Sequence, residues 1–242
     1  MKRSISLAVM ILLVASAPAW SADATAALDI NSAYVWRGIT FNDGLVAQPS
    51  MDVAVGNFGF NVWGNFDIGD YDETLDANNF SEIDLTLSYG ITVWKIDLGV
   101  GLIEYLFPSG PGSGFGTREV YLSVGIPIVA GLSAGVDFYY DVDETHGYYA
   151  VANVGYALDI TEKFGLEAGV TAAYASEDAA LTGEAGLHDY SASLSASFAL
   201  TDALSIGAGI NYVGTFDEDV LPKGPVALDT EFYGGVSISY AF

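Results

Sequence analysis

Apolar and polar residues alternate with a period of two along almost the whole chain. Residues 82–89, for example, read E-I-D-L-T-L-S-Y. Successive side chains of a β-strand point to opposite faces of a sheet, so this pattern predicts a strand with one apolar and one polar face. The same alternation marks twelve segments, at residues 28–37, 48–55, 60–68, 82–89, 94–102, 119–126, 132–141, 148–156, 164–174, 190–198, 204–212 and 232–242.

The polar face of these segments carries acids such as Asp84 and Asp137. Unpaired charge is costly in a dry interior, so this face cannot be the core of a β-sandwich. In a membrane barrel the apolar face meets lipid, the polar face meets the lumen, and closure leaves no unpaired edge. We therefore predict an all-β fold, a transmembrane antiparallel up-and-down β-barrel of about 12 strands.

The predicted connections alternate between short and long. Short links are expected at Gly56, Gly90, and residues 127–131, 159–162 and 201–202, and longer acidic or glycine-rich loops at residues 70–79, 107–117, 141–147, 177–187 and 215–228. This asymmetry, with an even strand count, is typical of outer-membrane barrels and predicts that both termini are periplasmic. Residues 120–136 are uncharged but contain Gly125, Pro127 and Gly131, which indicates two strands and a turn rather than a membrane helix.

The first 22 residues have the pattern of a secretory signal peptide. Lys2 and Arg3 precede an apolar run at residues 5–14 and then small residues at 15–22. Cleavage after Ala19, Ser21 or Ala24 would satisfy the small-x-small rule equally well. The predicted organisation is a leader over residues 1–22 and a single outer-membrane barrel domain over residues 23–242.

Charge and cysteine content exclude other classes of protein. The whole chain has 7 basic and 31 acidic residues, and two of the basic residues lie in the leader, so the remainder carries 5 − 31 = −26. Phosphates would repel such a chain, which argues against nucleic-acid binding. With no cysteine, an exported fold cannot depend on disulfides. We expect no cofactor.

Two segments near the start resemble a known family. Residues 32–40 read SAYVWRGIT, and residues 48–52 (QPSMD) lead to residues 61–67 (NVWGNFD). Together they resemble the opening of the TorF-type porin family, with its S-x-Y-V-x-R-G-I start and later W-x-S/G-N motif. The resemblance covers roughly the first sixty residues after the leader and implies a bacterial outer-membrane porin.

The chain ends in Tyr240-Ala241-Phe242. This ending is similar to the aromatic last strand that outer-membrane proteins present to the barrel assembly machinery. Tyr240 and Phe242 are therefore the predicted assembly signal. The other expected partners are outer-membrane lipid, lipopolysaccharide, and small hydrophilic solutes or cations.

Arg37 is the most conspicuous inward residue, because the alternation places its cation inside an acidic lumen. We expect it to pair with Asp52 or Asp67, either to fix the barrel shape or to form a selectivity constriction. Inward acids outnumber Arg37, Lys95 and the less certain Arg118, which favours cations if the lumen conducts. These acids are Asp29, Asp52, Asp67, Glu82, Asp84, Asp97, Glu119, Asp137 and Glu167.

Several large aromatic residues also have inward parity. They are Trp63, Tyr105, Tyr121, Tyr139, Tyr149 and Tyr233. A barrel of about twelve strands is wider than the side-chain-filled small barrels and narrower than open porins, so these rings narrow the lumen. Filling the wall explains them more simply than a stacking surface for a ring-shaped solute.

One acidic loop is a candidate metal site. Its weak candidate ligands are Asp70, Asp72, Glu73 and Asp76, and clustered carboxylates suit calcium. The spacing is not that of an EF-hand. A solvated surface loop is the simpler interpretation.

These observations lead to a ranked set of functions. The first is a narrow, weakly cation-preferring diffusion channel for small hydrophilic solutes. The second is a closed or plugged structural or adhesive barrel with acidic, cation-binding loops. The third is an outer-membrane lipid hydrolase using Ser176 and His188, which flank one loop with outward parity, although no catalytic motif supports the pair. We predict that the protein is not an enzyme.

Overall fold

The structure is a computed structural model that describes residues 22–69, 75, 77–110, 113–225 and 227–242. The predicted leader lies outside this range except for Ala22. Within these residues no helix is long and apolar enough to cross a membrane.

The described chain forms fourteen strands. They are β1 (Ala22–Asn31), β2 (Tyr34–Trp36), β3 (Ile39–Asn42), β4 (Val46–Val55), β5 (Phe58–Asp67), β6 (Asn79–Val93), β7 (Ile96–Leu106), β8 (Gly116–Val129), β9 (Leu132–Asp141), β10 (Tyr148–Asp159), β11 (Phe164–Ala175), β12 (Gly186–Ala199), β13 (Leu204–Thr215) and β14 (Phe232–Ala241). Twelve of them close into one barrel, in the order β1, β14 and down the chain to β4, while β2 and β3 form a separate two-stranded hairpin. All barrel pairs are antiparallel, including the closing pair of β1 with β14. The prediction of a twelve-stranded all-β barrel is confirmed.

The alternation explains why these segments form the wall. Apolar residues such as Leu87, Val100 and Leu122 are 47–55% exposed on the outer face, and their polar neighbours turn inward. Ladder hydrogen bonds satisfy the backbone, and closure removes free edges. Residues 120–136 form β8, a tight turn and β9, as their glycines and proline predict.

One short turn differs from the prediction. Gly90 pairs with Gly99 inside the β6–β7 ladder, and the chain reverses four residues later at Trp94 and Lys95. Trp94 has a φ of 65° and is 92% exposed. The true position of this turn is difficult to predict from the sequence, because the apolar run continues to Trp94 and contains neither glycine nor proline after Gly90.

The first predicted strand also ends too late. β1 stops at Asn31, and residues 32–45 form a long connection that contains the hairpin β2–β3. Arg37 and Gly38 at its tip have φ values of 49° and 75°. Positive φ at both central residues is the signature of a type I′ hairpin turn, so the chain reverses where the alternation predicts a continuous strand.

Candidate functional site

The hairpin β2–β3 packs inside the barrel at the end that carries the long loops. Val35 and Ile39 pack against the buried cluster of Val213, Leu221 and Leu228. Leu221 and Leu228 belong to the loop between β13 and β14 and are almost completely buried. The hairpin is therefore held between the barrel wall and a folded loop.

Backbone hydrogen bonds fix the returning strand of the hairpin to the same loop. The Thr40 N–H donates to the carbonyl oxygen of Ala227 at 2.8 Å. The Thr40 hydroxyl accepts from the N–H groups of Asp229 and Thr230, at 3.1 and 2.9 Å. Thr40 thus links two loops that are far apart in the sequence.

Arg37 at the tip makes a bidentate ion pair with Glu119 on β8. Its Nη1 and Nη2 atoms donate to Oε1 and Oε2 of Glu119, both at 2.7 Å. The Tyr105 hydroxyl also donates to Oε2 of Glu119, at 2.8 Å. The side chains of Arg37 and Glu119 are only 13% and 7% exposed, so solvent screens this pair weakly.

Three aromatic rings surround the guanidinium group. Its central carbon lies 4.3 Å from the ring centroid of Trp36, 4.7 Å from Tyr139 and 4.5 Å from Tyr149. Each distance is within the range of a cation–π interaction. Burial alone lowers the pKa of Arg37, but the hydrogen bonds and charge of Glu119 outweigh it, so the pKa lies above its ordinary value. Arg37 is therefore a permanent cation.

The expected partners of Arg37 were wrong. Asp52 lies on β4, which pairs with β1, and Asp67 lies on β5, the next strand along the wall, so both would suit an arginine within β1. The hairpin instead carries Arg37 across the lumen to Glu119, which is 82 residues away in the sequence.

Asp67 has a different role, at the base of the hairpin. Its Oδ1 accepts from Asn42 at 2.7 Å and from Asn65 at 2.9 Å, and Gln48 donates to Asn65 at 2.9 Å. Asn42, Asn65 and Asp67 are almost completely buried. This network satisfies a buried carboxylate and attaches β3 to β5.

Glu82 and Asp84 are two residues apart on β6 and are neighbours on its inner face. The Tyr34 hydroxyl donates to Oε2 of Glu82 at 2.9 Å. Burial and then the charge of Glu82 raise the pKa of Tyr34 well above its ordinary value, which keeps its hydroxyl a donor. Among the described residues, Oδ1 of Asp84 is buried and has no hydrogen-bond partner.

A cavity of about 360 Å³ borders the hairpin. Its walls include Trp36, Arg37, Trp63, Asp84, Tyr105 and Tyr139. Trp63 contacts Tyr34, with ring centroids 5.5 Å apart, and Tyr121 contacts Tyr139 at 5.7 Å. The inward aromatic residues thus narrow the lumen beside the hairpin.

The remaining predicted lumen acids are distributed along the wall. Asp52 accepts from Asn61, Asp97 accepts from Thr92, and Asp137 accepts from Asn153. Glu167 lies opposite Ser195 in the β11–β12 ladder and is exposed. These acids do not join the Arg37 cluster.

Two further cations, Lys95 and Arg118, do not occupy the lumen positions that the alternation predicts. Lys95 lies in the turn after β6, not on a strand, because the β6–β7 reversal is displaced from Gly90. Arg118 pairs with Glu104 and is more than one-third exposed. Of these three cations, Arg37 is the one that lines the cavity beside the hairpin.

Ser176 and His188 do not form a catalytic pair in the described structure. Ser176 accepts a hydrogen bond from the backbone N–H of Tyr148, while Nδ1 of His188 bonds to Asp189. His188 was expected to face outward, and this was wrong. A register shift between Ala172 and Tyr174 interrupts the β11–β12 ladder. His188 is only 2% exposed, and its ring contacts Tyr149.

Metal binding receives no support from the part of the chain that the structure describes. That part contains no group of three or more histidine or acidic side chains placed to hold a metal ion. The candidate ligands Asp70, Asp72, Glu73 and Asp76 lie outside the described residues.

At the chain end, Tyr240 and Phe242 make an edge contact with centroids 5.0 Å apart. The Phe242 N–H donates to the carbonyl oxygen of Ala24, so the last residue is bonded to the first barrel strand. Both ends of the barrel chain therefore lie at the end that carries the short turns.

A closed antiparallel barrel with an apolar outer face and a polar, partly obstructed lumen defines the outer-membrane barrel class. The structure is similar to the KdgM porin, with a TM-score of 0.57 and 12% identity over 90% of this chain and 99% of that one. It is also similar to the NanC porin, with a TM-score of 0.55 and 11% identity over 91% and 99%. An outer membrane channel from Pseudomonas putida F1 gives a TM-score of 0.55 and 9% identity over 94% and 97%.

Sequence comparisons add no family. No family model matches the chain, and no curated protein matches it. At identities this low, the solved structures establish the twelve-stranded porin-type fold and leave the solute to be inferred from this chain's own residues.

Proposed function

We propose that this protein is a porin-like outer-membrane channel for small hydrophilic solutes, with hairpin β2–β3 as its constriction. The observation that supports this most directly is the cavity of about 360 Å³ that borders the hairpin inside a closed barrel with a polar inner face. In this proposal the long loops are extracellular and both termini are periplasmic, as is typical of outer-membrane barrels.

The charges along the lumen favour cations. Glu119 neutralises Arg37, while Asp52, Asp97 and Glu167 lie nearer the short turns and have no ion pair with a cation within the described part of the chain. Rings of acids attract cations and repel anions. One KdgM structure is of that porin in complex with disordered oligogalacturonate, which is an anion. We propose the opposite charge preference for this chain.

The hairpin also gives the family resemblance a structural meaning. The segment that resembles the TorF-type porins, residues 32–40, contains β2, the Arg37-Gly38 turn and the first half of β3. We infer that the chain is a TorF-type porin and that its motif encodes the constriction. The proposed partners in assembly are the barrel assembly machinery, through Tyr240 and Phe242, and outer-membrane lipid and lipopolysaccharide around the wall.

A plugged barrel is the second candidate function. The observation in its favour is the tight seating of the hairpin, with Val35 and Ile39 in the cluster around Leu221. In this alternative the protein is a structural or adhesive surface barrel, and its acidic loops bind cations.

Planar-bilayer recording separates the two functions. Purified protein is inserted into a neutral bilayer, and conductance and reversal potential are measured in a potassium chloride gradient. A channel gives discrete conductance steps with a reversal potential of cation-preferring sign. Absence of steps from correctly folded protein supports the plugged barrel, and anion preference contradicts the proposed selectivity.

A further inference from the structure

Arg37 is itself an organic cation held in a binding site. Its guanidinium group makes two hydrogen bonds to one carboxylate and lies near three aromatic rings. Such a set of groups, a carboxylate with aromatic rings, is the arrangement that proteins use to recognise guanidinium and other organic cations.

Most of this site belongs to the barrel wall and not to the hairpin. Glu119 lies on β8, Tyr105 on β7, Tyr139 on β9 and Tyr149 on β10. Trp36 is the one aromatic neighbour of the guanidinium that the hairpin supplies. These four wall residues therefore stay in place, as a site for a cation, when the hairpin moves away.

The wall residues are also oriented without help from Arg37. Tyr105 donates to Glu119, and Tyr149 donates to Oδ1 of Asp189 at 2.8 Å. His188 contacts the same oxygen of Asp189 through Nδ1, also at 2.8 Å. Because these bonds hold the carboxylate and one ring in place, little ordering is needed when a cation binds.

The site is reachable from the lumen. Arg37, Tyr105, Tyr139 and Tyr149 all line the cavity of about 360 Å³. Asp84 lines it too and adds a second acidic side chain. A solute in the cavity therefore meets the guanidinium group of Arg37 and the three tyrosine rings directly.

We propose that Glu119, Tyr105, Tyr139 and Tyr149 form a binding site for alkylguanidinium solutes, which Arg37 occupies as a tethered ligand. This inference names the class of solute for the proposed channel. The claim that the bound solute is also transported rests on that proposed function. A solute that enters the site displaces Arg37 and releases the tip of the hairpin. Binding and opening are then coupled, because both require the same carboxylate.

The decisive experiment measures binding to an emptied site. Methylguanidinium chloride is titrated by calorimetry into folded Arg37→Ala protein in detergent, with equal concentrations of sodium chloride and methylammonium chloride as comparison salts. We expect saturable methylguanidinium binding to Arg37→Ala and at least roughly tenfold weaker binding to the wild type, because the tethered arginine competes at high effective concentration.

Two double variants test whether Glu119 is the receptor. Arg37→Ala/Glu119→Gln loses the charged partner, and we expect affinity to fall at least roughly 30-fold. Arg37→Ala/Glu162→Gln removes an exposed acid from the turn between β10 and β11 and keeps the affinity of Arg37→Ala. Far-UV circular dichroism and heat-dependent gel mobility verify that each variant is folded.

The outcomes separate this inference from the proposed channel. If folded Arg37→Ala binds methylguanidinium no better than methylammonium, or if Glu119→Gln has no effect in the double variant, the inferred site is wrong. Bilayer recording tests conduction independently. Saturable binding without conductance would keep the site and reject the channel, whereas conductance without binding would do the reverse.

Discussion

The two ends of the barrel are built in different ways. At the long-loop end the lumen is filled by a hairpin, and polar groups such as Asn42, Asp67 and His188 are almost completely buried. Toward the short-turn end the inner positions are small. Gly207 faces Ser237 across the β13–β14 ladder, and the hydroxyls of Ser205 and Ser239 are 2.7 Å apart.

The difference separates two kinds of structural requirement. The wall needs alternation and ladder hydrogen bonds, and many sequences satisfy both. The filled end needs particular partners, since a buried charge such as Asp67 is tolerated only while its donors are in place. We therefore expect changes in the hairpin to alter the lumen while leaving the wall intact.

Removal of the hairpin should have the largest effect. When residues 34–42 are replaced by a short glycine–serine linker, we expect single-channel conductance to rise severalfold, because the constriction is lost. The wall should keep its far-UV circular dichroism spectrum, since β1 and β4 still pair directly. Unchanged conductance would place the constriction elsewhere, and loss of the β-spectrum would show that the two ends are not independent.

Arg37→Ala should release the tip and leave the rest of the hairpin attached. Removal of one partner of a buried ion pair costs about 3–5 kcal/mol. We expect backbone amides at the tip, residues 36–39, to exchange roughly a hundredfold faster or more in hydrogen-exchange mass spectrometry, with the base of the hairpin and the barrel strands unaffected. Arg118→Ala is the matched control, because its pair with Glu104 is about one-third exposed and contributes little to stability. Equal acceleration in both variants would contradict a role for burial.

Gly38→Ala tests how closely the tip of the hairpin packs against its neighbours. A Cβ atom there would lie 2.5 Å from Cδ2 of Leu221 and 2.9 Å from Cβ of Asp189. We expect a cost of about 1–2 kcal/mol for the left-handed backbone and about 1–3 kcal/mol for overpacking. Gly183 is the control, since its φ is also 75° but nothing lies within 4 Å of the added atom.

Thermal unfolding and hydrogen exchange of the two alanine variants separate these contributions. Gly183→Ala should show only the backbone cost. If both variants lose the same stability, the contacts with Leu221 and Asp189 do not matter.

Most of the wall could be predicted from the sequence, because alternation reports directly which face each side chain takes. Residues 82–89 and 132–141 illustrate this, since both lie within observed strands. The hairpin could not be predicted in the same way. The alternation of Leu28 and Ile30 continues in phase through Tyr34 and Trp36, and Arg37-Gly38 is a weaker turn signal than Asn-Gly.

The partners inside the lumen were harder still to predict. Arg37 and Glu119 are 82 residues apart, and only the closed barrel brings them together. The register shift beside Tyr174 reverses the parity expected for His188, and no glycine or proline marks it. Parity specifies the face of the sheet that a residue occupies, but not its partner across the lumen.

Glu167→Gln should have the smallest effect, and it tests the other end of the barrel. Glu167 is exposed near the short turns, so its substitution should change the free energy of unfolding by less than about 0.5 kcal/mol. We expect a small shift of the reversal potential toward lower cation preference at low salt, which weakens as salt screens the charge. Asp202→Asn, in the exposed turn after β12, should leave the potential unchanged. A large loss of stability in Glu167→Gln would mean that the short-turn end also depends on particular partners, and the contrast between the two ends would then be wrong.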